Sequence, residues 1–490
     1  MATAALSPEE RFQAELDSAD ITRPMWMLWI LSAALIALDG FDFFIIGVAM
    51  PLIQRDFGLS AGWVGAIATA ALFGALVGSL TLGPITDRVG RQRMLVVDIA
   101  LFVVASLATA LAWNAESLLF FRFLVGVGIG ADYPISVAYI TENVPARVRG
   151  RMVIGAFSFQ AVGAVFGALV GWLTIFVFQQ VSPELTMGYA WRWMLGVGII
   201  LSVLVGGLRL LFLLESPSYY LTKGEYTAAS DAASQLLEKD ICLKAIEDSK
   251  VEDPKVEDSK NEQSTEFETL SYTDLFSPTH RRATALAAIP WFLQDIATYG
   301  IGIFTPTIIS ALAFSEKSSF FTREMAAAKG AAVVNAFLII GFILAIVLIN
   351  RLGRISLQIV GFVGMAAGLV VLSLVQGNTQ FSILFTGFIL FNLAMNMGPN
   401  ATTFLLSGEV FPPAIRASGA GLAGGIAKSG AVLGAWALPV LQEMFGVNLV
   451  LRSLAVICLI AAVVTFLLRQ AAPAHNHSDG HLGSDGHLSS

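Results

Sequence analysis

Trp291, Asp295 and Tyr299 recur at intervals of four inside one apolar run. A helix there aligns an indole N–H, a carboxyl group and a phenolic hydroxyl along a single face. A second carboxyl group, Asp132, sits in the stretch Gly126–Gly150, again within an apolar run and behind Gly128 and Gly130. A carboxylate at membrane depth is costly, so a ligand or ion pathway is its default reading, and a hydrogen bond across helices is the plainer one. Gly128 and Gly130 allow a neighbouring helix to approach closely, and Pro134 loosens the backbone beside the acid. Tyr133, Gln160 and Asn400 add hydrogen-bond donors, and Lys428 adds a positive charge that suits an oxyanion or a carboxylate partner. Such a set can bind and release an anion. It can also trade protons, because a neutral acid donates a hydrogen bond to an anion that its carboxylate would repel. Trp291 alone reads equally as a group that packs or seals a cavity.

The elements that must hold these groups are membrane helices. Of 490 residues, 56% are hydrophobic and 13% charged, and apolar runs of spanning length recur from end to end. Twelve helices are expected, at about 26–49, 62–83, 93–112, 117–141, 152–177, 192–214, 284–312, 328–349, 355–375, 381–406, 417–440 and 448–468. The runs are too long for barrel strands. The resulting fold class is an all-α membrane protein with twelve transmembrane helices in two pseudo-symmetric six-helix bundles, its surroundings a lipid bilayer.

The short connections on one side carry Arg88, Arg91, Arg93, Arg147, Arg149, Arg151, Arg351, Arg354 and Arg416, against Arg55, Arg192, Lys317 and Arg323 on the other, with Lys329 at a boundary. That imbalance places the first side, both termini and the central loop in the cytoplasm. Residues 1–25 form a polar cytoplasmic segment without the pattern of a signal peptide, so the first span acts as its own insertion signal. Residues 26–214 form the first bundle. Residues 215–283 form a cytoplasmic linker, solvated at its acidic and lysine-rich centre, with amphipathic helices allowed near its ends. Residues 284–468 form the second bundle, and 469–490 a disordered tail in which His475, His477, His481 and His487 are weak grounds for a metal site. The net charge of −7 does not imply nucleic acid, Cys242 and Cys458 do not suggest a disulfide framework, and no obligate protein partner is implied.

The halves echo one another. GPITDRVGR, Gly83 to Arg91, has a shorter counterpart in NRLGR, Asn350 to Arg354. ENVPARVR runs from Glu142 to Arg149 and EVFPPAIR from Glu409 to Arg416, each with seven positions from acid to arginine. Two related bundles follow from this internal repeat.

With these motifs on the page, residues 25–470 resemble the major facilitator superfamily. Gly83, Asp87, Arg88, Gly90 and Arg91 match its loop after the second helix, where the resemblance implies a structural role in switching, with Asp87 receiving basic groups at the cytoplasmic gate. Within that superfamily the chain resembles the phosphate:proton symporters through LDGFDFFIIG, GADYP, WFLQDIATYG, GPNATTFLLSGEVFP and GGIAKSGAVLG. Ala131 departs from their usual GGDYP. The resemblance implies inorganic phosphate and protons as cargo. It assigns Asp39 and Asp42 to proton movement, Asp132 to the acidic position of the fourth helix, and Tyr133, Gln160, Trp291, Asp295, Tyr299, Asn400 and Lys428 to the substrate site. Asp39, Asp132 and Asp295, with Asp42, are the proton-coupling candidates. The repeated placement of Glu142 and Glu409 beside Arg149 and Arg416 suggests gate salt bridges between helices. Arg122 either bridges to a carboxylate within the first bundle or snorkels from a helix end.

The expectation is symport of phosphate with protons by alternating access, without a cofactor or a resident metal. Neither a phosphate-binding loop of a nucleotide domain nor a Ser/His/Asp, metal or cofactor constellation of an enzyme is recognisable. FLLESPSYYL after the sixth helix resembles the exit of sugar porters, so a sugar, organic acid or other metabolite remains the alternative cargo. A nutrient-sensing receptor that uses the acidic linker for output is the alternative of a different class.

Overall fold

Apolar runs of this length satisfy their backbone polar groups only within themselves, and the chain accordingly folds into helices. The computed structural model describes residues 7–89, 91–212, 214–243, 272–313, 319–375, 381–412 and 415–472. The first bundle contains α2 (Arg23–Phe57), α3 (Ala61–Val89), α4 (Arg91–Ala110), α5 (Ala115–Asn143), α6 (Ala146–Val181) and α7 (Thr186–Leu211). The second contains α10 (Arg281–Ala313), α11 (Phe320–Leu352), α12 (Arg354–Ser373), the broken pair α13 (Phe381–Met397) and α14 (Pro399–Glu409), α15 (Arg416–Phe445) and α16 (Val447–Leu468). These form twelve spans in two bundles. Large apolar side chains such as Val104, Leu204, Val363 and Val463 point outward, as lipid-facing surfaces require.

Several boundaries shift from those expected. The motif Gly83 to Arg91 was expected as a loop, yet α3 continues to Val89 and α4 begins at Arg91. The helical backbone runs through Gly83 to Val89 on one side and from Arg91 on the other, past the ends of the apolar runs. Gly90 lies outside the described residues, as do the side chains of Asp87, Arg88 and Arg91. The tenth span is two helices rather than one, because Pro399 follows Gly398 and begins a new first turn.

The pairings repeat between halves: α2 packs on α6 and α3 on α5, as α10 packs on α15 and α11 on α13. Glycines make the close seams. A Cβ on Gly126 or Gly130 of α5 would overlap the Ala71 or Ala75 carbonyl oxygen of α3, and Gly74 and Gly78 face the Phe123 and Val127 carbonyls in return. The observed stripe is therefore Gly126 with Gly130, one turn apart, where Gly128 and Gly130 were expected; residues two apart do not share a helix face. The bundles meet through α2 with α10, α3 with α15 and α6 with α11.

The face carrying the termini has a third layer. Ser7 caps α1 (Pro8–Ser18) in a reciprocal box with Glu10. Phe12 and Leu16 of α1 bury against Leu28, Tyr139 and the helix α9 (Tyr226–Leu237), which follows the short α8 (Pro217–Thr222). Asp17 accepts the Ala146 N–H at the start of α6 at 2.8 Å, and this bond holds its carboxyl below the usual carboxylate range. Arg147 pairs with Asp20 and Lys239 with Glu15. The linker thus begins as two helices fastened to the first bundle; its centre, 244–271, and the tail from 473 lie outside the described residues.

Candidate functional site

Six side chains of the expected site line one cavity between the bundles: Gln160 of α6, Trp291, Asp295 and Tyr299 of α10, Asn400 of α14 and Lys428 of α15. Spacing along α10 puts its three groups on one face, and the break before Pro399 aims Asn400 at them. Lys428 Nζ donates to Tyr299 Oη at 2.9 Å and lies over the phenol ring, 4.8 Å from its centroid. Lys428 also acts electrostatically on Asp295. The Asp295 side chain is 2% exposed and its Oδ2 is buried without a hydrogen-bond partner. Among the described residues Asp295 is the only carboxyl group on the cavity wall. The cavity measures about 40 Å³, room for about three water-sized spheres.

Gln160 reaches the cavity because α6 lies hard against α2. A Cβ on Gly40 would overlap the Gln160 carbonyl, and one on Gly163 the Ala37 carbonyl. Gly40→Ala is expected to push the helices apart, lowering stability by about 1–3 kcal/mol and displacing Gln160. A thermal-shift measurement in detergent checks this, an unchanged Tm being the contrary result.

A network that sequence reading missed braces the other wall. Gln294 Nε2 donates to Thr298 Oγ1 at 3.1 Å and to Asn400 Oδ1 at 3.2 Å, while Thr403 Oγ1 donates to Gln294 Oε1 at 3.3 Å. Asn400 Nδ2 donates in turn to Asn396 Oδ1 at 2.6 Å, and Asn396 to the Leu338 carbonyl at 3.1 Å. The network joins α10, α14, α13 and α11. Its sequence signal is helical spacing, Gln294 with Thr298 and Asn396 with Asn400, each four apart. One turn beyond Asn400, Phe404 meets Phe157 of the first bundle at a 4.5 Å centroid distance and Trp291 edge-on at 6.1 Å. This aromatic trio bounds the cavity towards the termini and crosses the bundle interface.

The remaining acids stand elsewhere. Asp42 receives both carboxylate contacts from Arg122 Nη1, at 2.8 and 2.7 Å, in a pair that joins α2 to α5; the Arg122 side chain is fully buried. Of the two readings of Arg122, the bridge to a carboxylate is the one observed. Asp39 is buried on α2, one residue before Gly40, and does not line the cavity. Asp132 and Tyr133 belong to α5, but their side chains lie outside the described residues.

Glu409 pairs with Arg354 Nε of α12 at 2.6 Å, the last arginine of the NRLGR motif. The side chain of Arg416 lies outside the described residues. Glu142 accepts the Ser216 hydroxyl at 2.8 Å, tying α5 to the linker, and the Arg149 Nε is buried without a hydrogen-bond partner. Gly83 lies in the helical backbone of α3.

Towards the face away from the termini, Arg55, Arg323, Glu324 and Glu443 border a wider cavity of about 800 Å³. Arg55 of the first bundle lies 3.7 Å over the Phe320 ring of the second. An arginine on an aromatic face is a favourable contact across the seam.

A family model described as sugar (and other) transporter matches residues 28–471. A putative metabolite transport protein, YaaU of Escherichia coli strain K12, is 30% identical over 416 residues, 84% of each chain. A putative inorganic phosphate transporter of Oryza sativa subsp. japonica is 25% identical and covers 88% of this chain and 86% of its own. In three dimensions the chain is similar to the major facilitator superfamily proton:xylose symporter XylE of E. coli, with a TM-score of 0.67 at 19% identity, covering 91% of this chain and 96% of that one. The match over nearly the whole chain, on a fold of two six-helix bundles around a central cavity, means that this protein belongs to the sugar (and other) transporter family.

Proposed function

We propose that the protein carries inorganic phosphate together with protons by alternating access across the plasma membrane, with both termini in the cytoplasm. The observation that carries this reading is the meeting of Lys428, Tyr299 and Asp295 at a cavity of about 40 Å³ between the bundles. A small oxyanion suits that volume and that donor set, and a hexose needs the helices to part. Lys428 and the Tyr299 hydroxyl receive the anion, Trp291, Gln160 and Asn400 orient it, and Asp295 in its neutral form turns from a repelling charge into a donor. A proton must therefore arrive before or with the anion. Asp132 and Asp39 extend the proton route on the first bundle, and the Asp42 pair with Arg122 is its reserve of charge. The wide cavity beside Arg55 and Arg323 is the entry side, and the Phe157–Phe404 contact is the barrier that parts on release.

The test is counterflow of labelled phosphate in proteoliposomes against a panel of phosphate, sulfate, sugars and organic acids, with and without a pH gradient. Phosphate exchange without competition from xylose supports the reading; exchange of a sugar or aromatic acid that phosphate does not inhibit overturns it. Binding without exchange would mark a receptor instead. Lys428→Ala is expected to weaken phosphate uptake about 10- to 100-fold, the equivalent of about 1.5–3 kcal/mol for a charge-assisted hydrogen bond. Unchanged KM in this variant would remove Lys428 from the site.

A further inference from the structure

Leu338 of α11 presents a backbone carbonyl, which can only accept a hydrogen bond. Asn396 of α13 donates to it from Nδ2 at 3.1 Å, and so turns its own Oδ1 towards Asn400. Asn400 Nδ2 donates to that oxygen at 2.6 Å, which leaves the Asn400 Oδ1 to accept from Gln294 Nε2 at 3.2 Å. A side-chain amide has nearly the same shape whichever way round it sits, and its partners decide between the two. Here the fixed acceptor at one end of the series decides for all three amides. Reversing any one of them sets oxygen against oxygen or nitrogen against nitrogen. Gln294 and Asn396 are almost fully buried, where such a mismatch is costly.

Asn400 is the member of this series that lines the main cavity with Lys428. One of its amide hydrogens is engaged by Asn396, and the other has no protein partner among the described residues. We propose that Gln294 is a positioning residue of the anion site: its Nε2–H holds the Asn400 carbonyl and so fixes the amide with a donor left for the cavity, which favours a ligand bearing an acceptor oxygen at that position. This deepens the phosphate reading and rests on it for Asn400 as a contact of the anion. Gln294 itself lines neither that cavity nor the smaller one beside it. It precedes Asp295 on α10, and the helix turns about 100° between them, so the acid faces the cavity and the amide faces α14. Donation to the Asn400 carbonyl also polarises that amide, making its remaining N–H a better donor. Thr298 and Thr403 bond Gln294 as well, but neither touches Asn400.

The experiment is counterflow of labelled phosphate at symmetrical pH in proteoliposomes of wild type, Gln294→Met, Asn400→Ala, the double variant of these two, and Thr403→Val. Gln294→Met keeps the length of the side chain and removes the donor, so the Asn400 amide is free to turn its oxygen to the anion. The phosphate KM is expected to rise about ten-fold, as for the loss of one hydrogen bond to a charged ligand, with the maximal rate per folded protein near that of wild type. Asn400→Ala should raise KM at least as far. The double variant should go no further than Asn400→Ala alone, because Gln294 then has no amide to position, whereas two independent roles would multiply. Thr403→Val takes a hydrogen bond from the same network but leaves the bond between Gln294 and Asn400, so a lower Tm with a wild-type KM is expected. KM does not depend on the amount of active protein, so partial misfolding does not imitate the effect, and Gln294→Leu gives the same reading should Gln294→Met fail to reconstitute. An unchanged KM in Gln294→Met, a multiplicative double variant, or a KM in Thr403→Val raised as far as in Gln294→Met overturns the positioning role. Should wild type exchange sulfate or an organic anion in place of phosphate, the phosphate reading falls, and a non-multiplicative cycle read with that anion upholds the role of Gln294. Exchange of neutral sugars alone, or of nothing, overturns both.

Discussion

Asp295→Asn is expected to abolish the accumulation of phosphate driven by a pH gradient while sparing its energy-independent exchange. Asparagine keeps the shape and a donor but binds no exchangeable proton. Asp295 is the acid on the described cavity wall, with Lys428 acting on it, so its charge decides whether the empty site is balanced and whether the loaded site carries an excess anion. With a carboxyl group, the loaded state requires a proton, and one pH unit contributes about 1.4 kcal/mol per proton, a ten-fold accumulation. With an amide, Lys428 is offset only by the anion itself, and the gradient has nothing to act on at this position. The measurement pairs uptake at an imposed gradient with counterflow at symmetrical pH on the same vesicles. The accumulation ratio should fall to about one, and counterflow should stay within an order of magnitude of wild type. Wild-type accumulation would remove Asp295 from proton coupling, and loss of both activities with an unchanged Tm would move it to anion binding.

Much of this site was legible because it rests on local spacing. Trp291, Asp295 and Tyr299 fall on one face by helical period alone, and apolar length is enough to set the spans. The contacts that determine what each group does are not local. Asp42 and Arg122 are eighty positions apart, and nothing in either neighbourhood says that the two meet. The network through Gln294 and Asn396 was hidden for another reason: an amide inside an apolar run reads as an isolated polar residue until its partner on another helix is known. The loop after the second span was over-read, since Gly83 and Gly90 look like punctuation and the helix persists through Gly83 to Val89. The fastening of α1 and α9 to the first bundle needed tertiary packing as well. Their apolar faces are short, and Phe12 and Leu16 become a core only when Leu28 and Tyr139 arrive from two other helices.

The pair between Asp42 and Arg122 carries the other large effect. Arg122 has no exposed surface, and its guanidinium is held by both oxygens of one carboxylate with a further contact from Nη2 to the Asp42 carbonyl at 3.4 Å. Asp42→Ala leaves a buried cation without its counter-charge, which typically costs about 3–5 kcal/mol. A lower Tm and poor recovery from detergent are expected. The double variant Asp42→Leu with Arg122→Met removes both charges and fills similar space, so stability should return to near that of wild type, because an apolar pair of like volume does not bear the desolvation cost. Transport by this stable double variant then separates the two roles of Asp42. If the pair only holds α2 to α5, accumulation at an imposed pH gradient returns with the stability. The proton role proposed for Asp42 requires that it does not: the double variant should fold, should exchange labelled phosphate at symmetrical pH, and should accumulate it less than wild type.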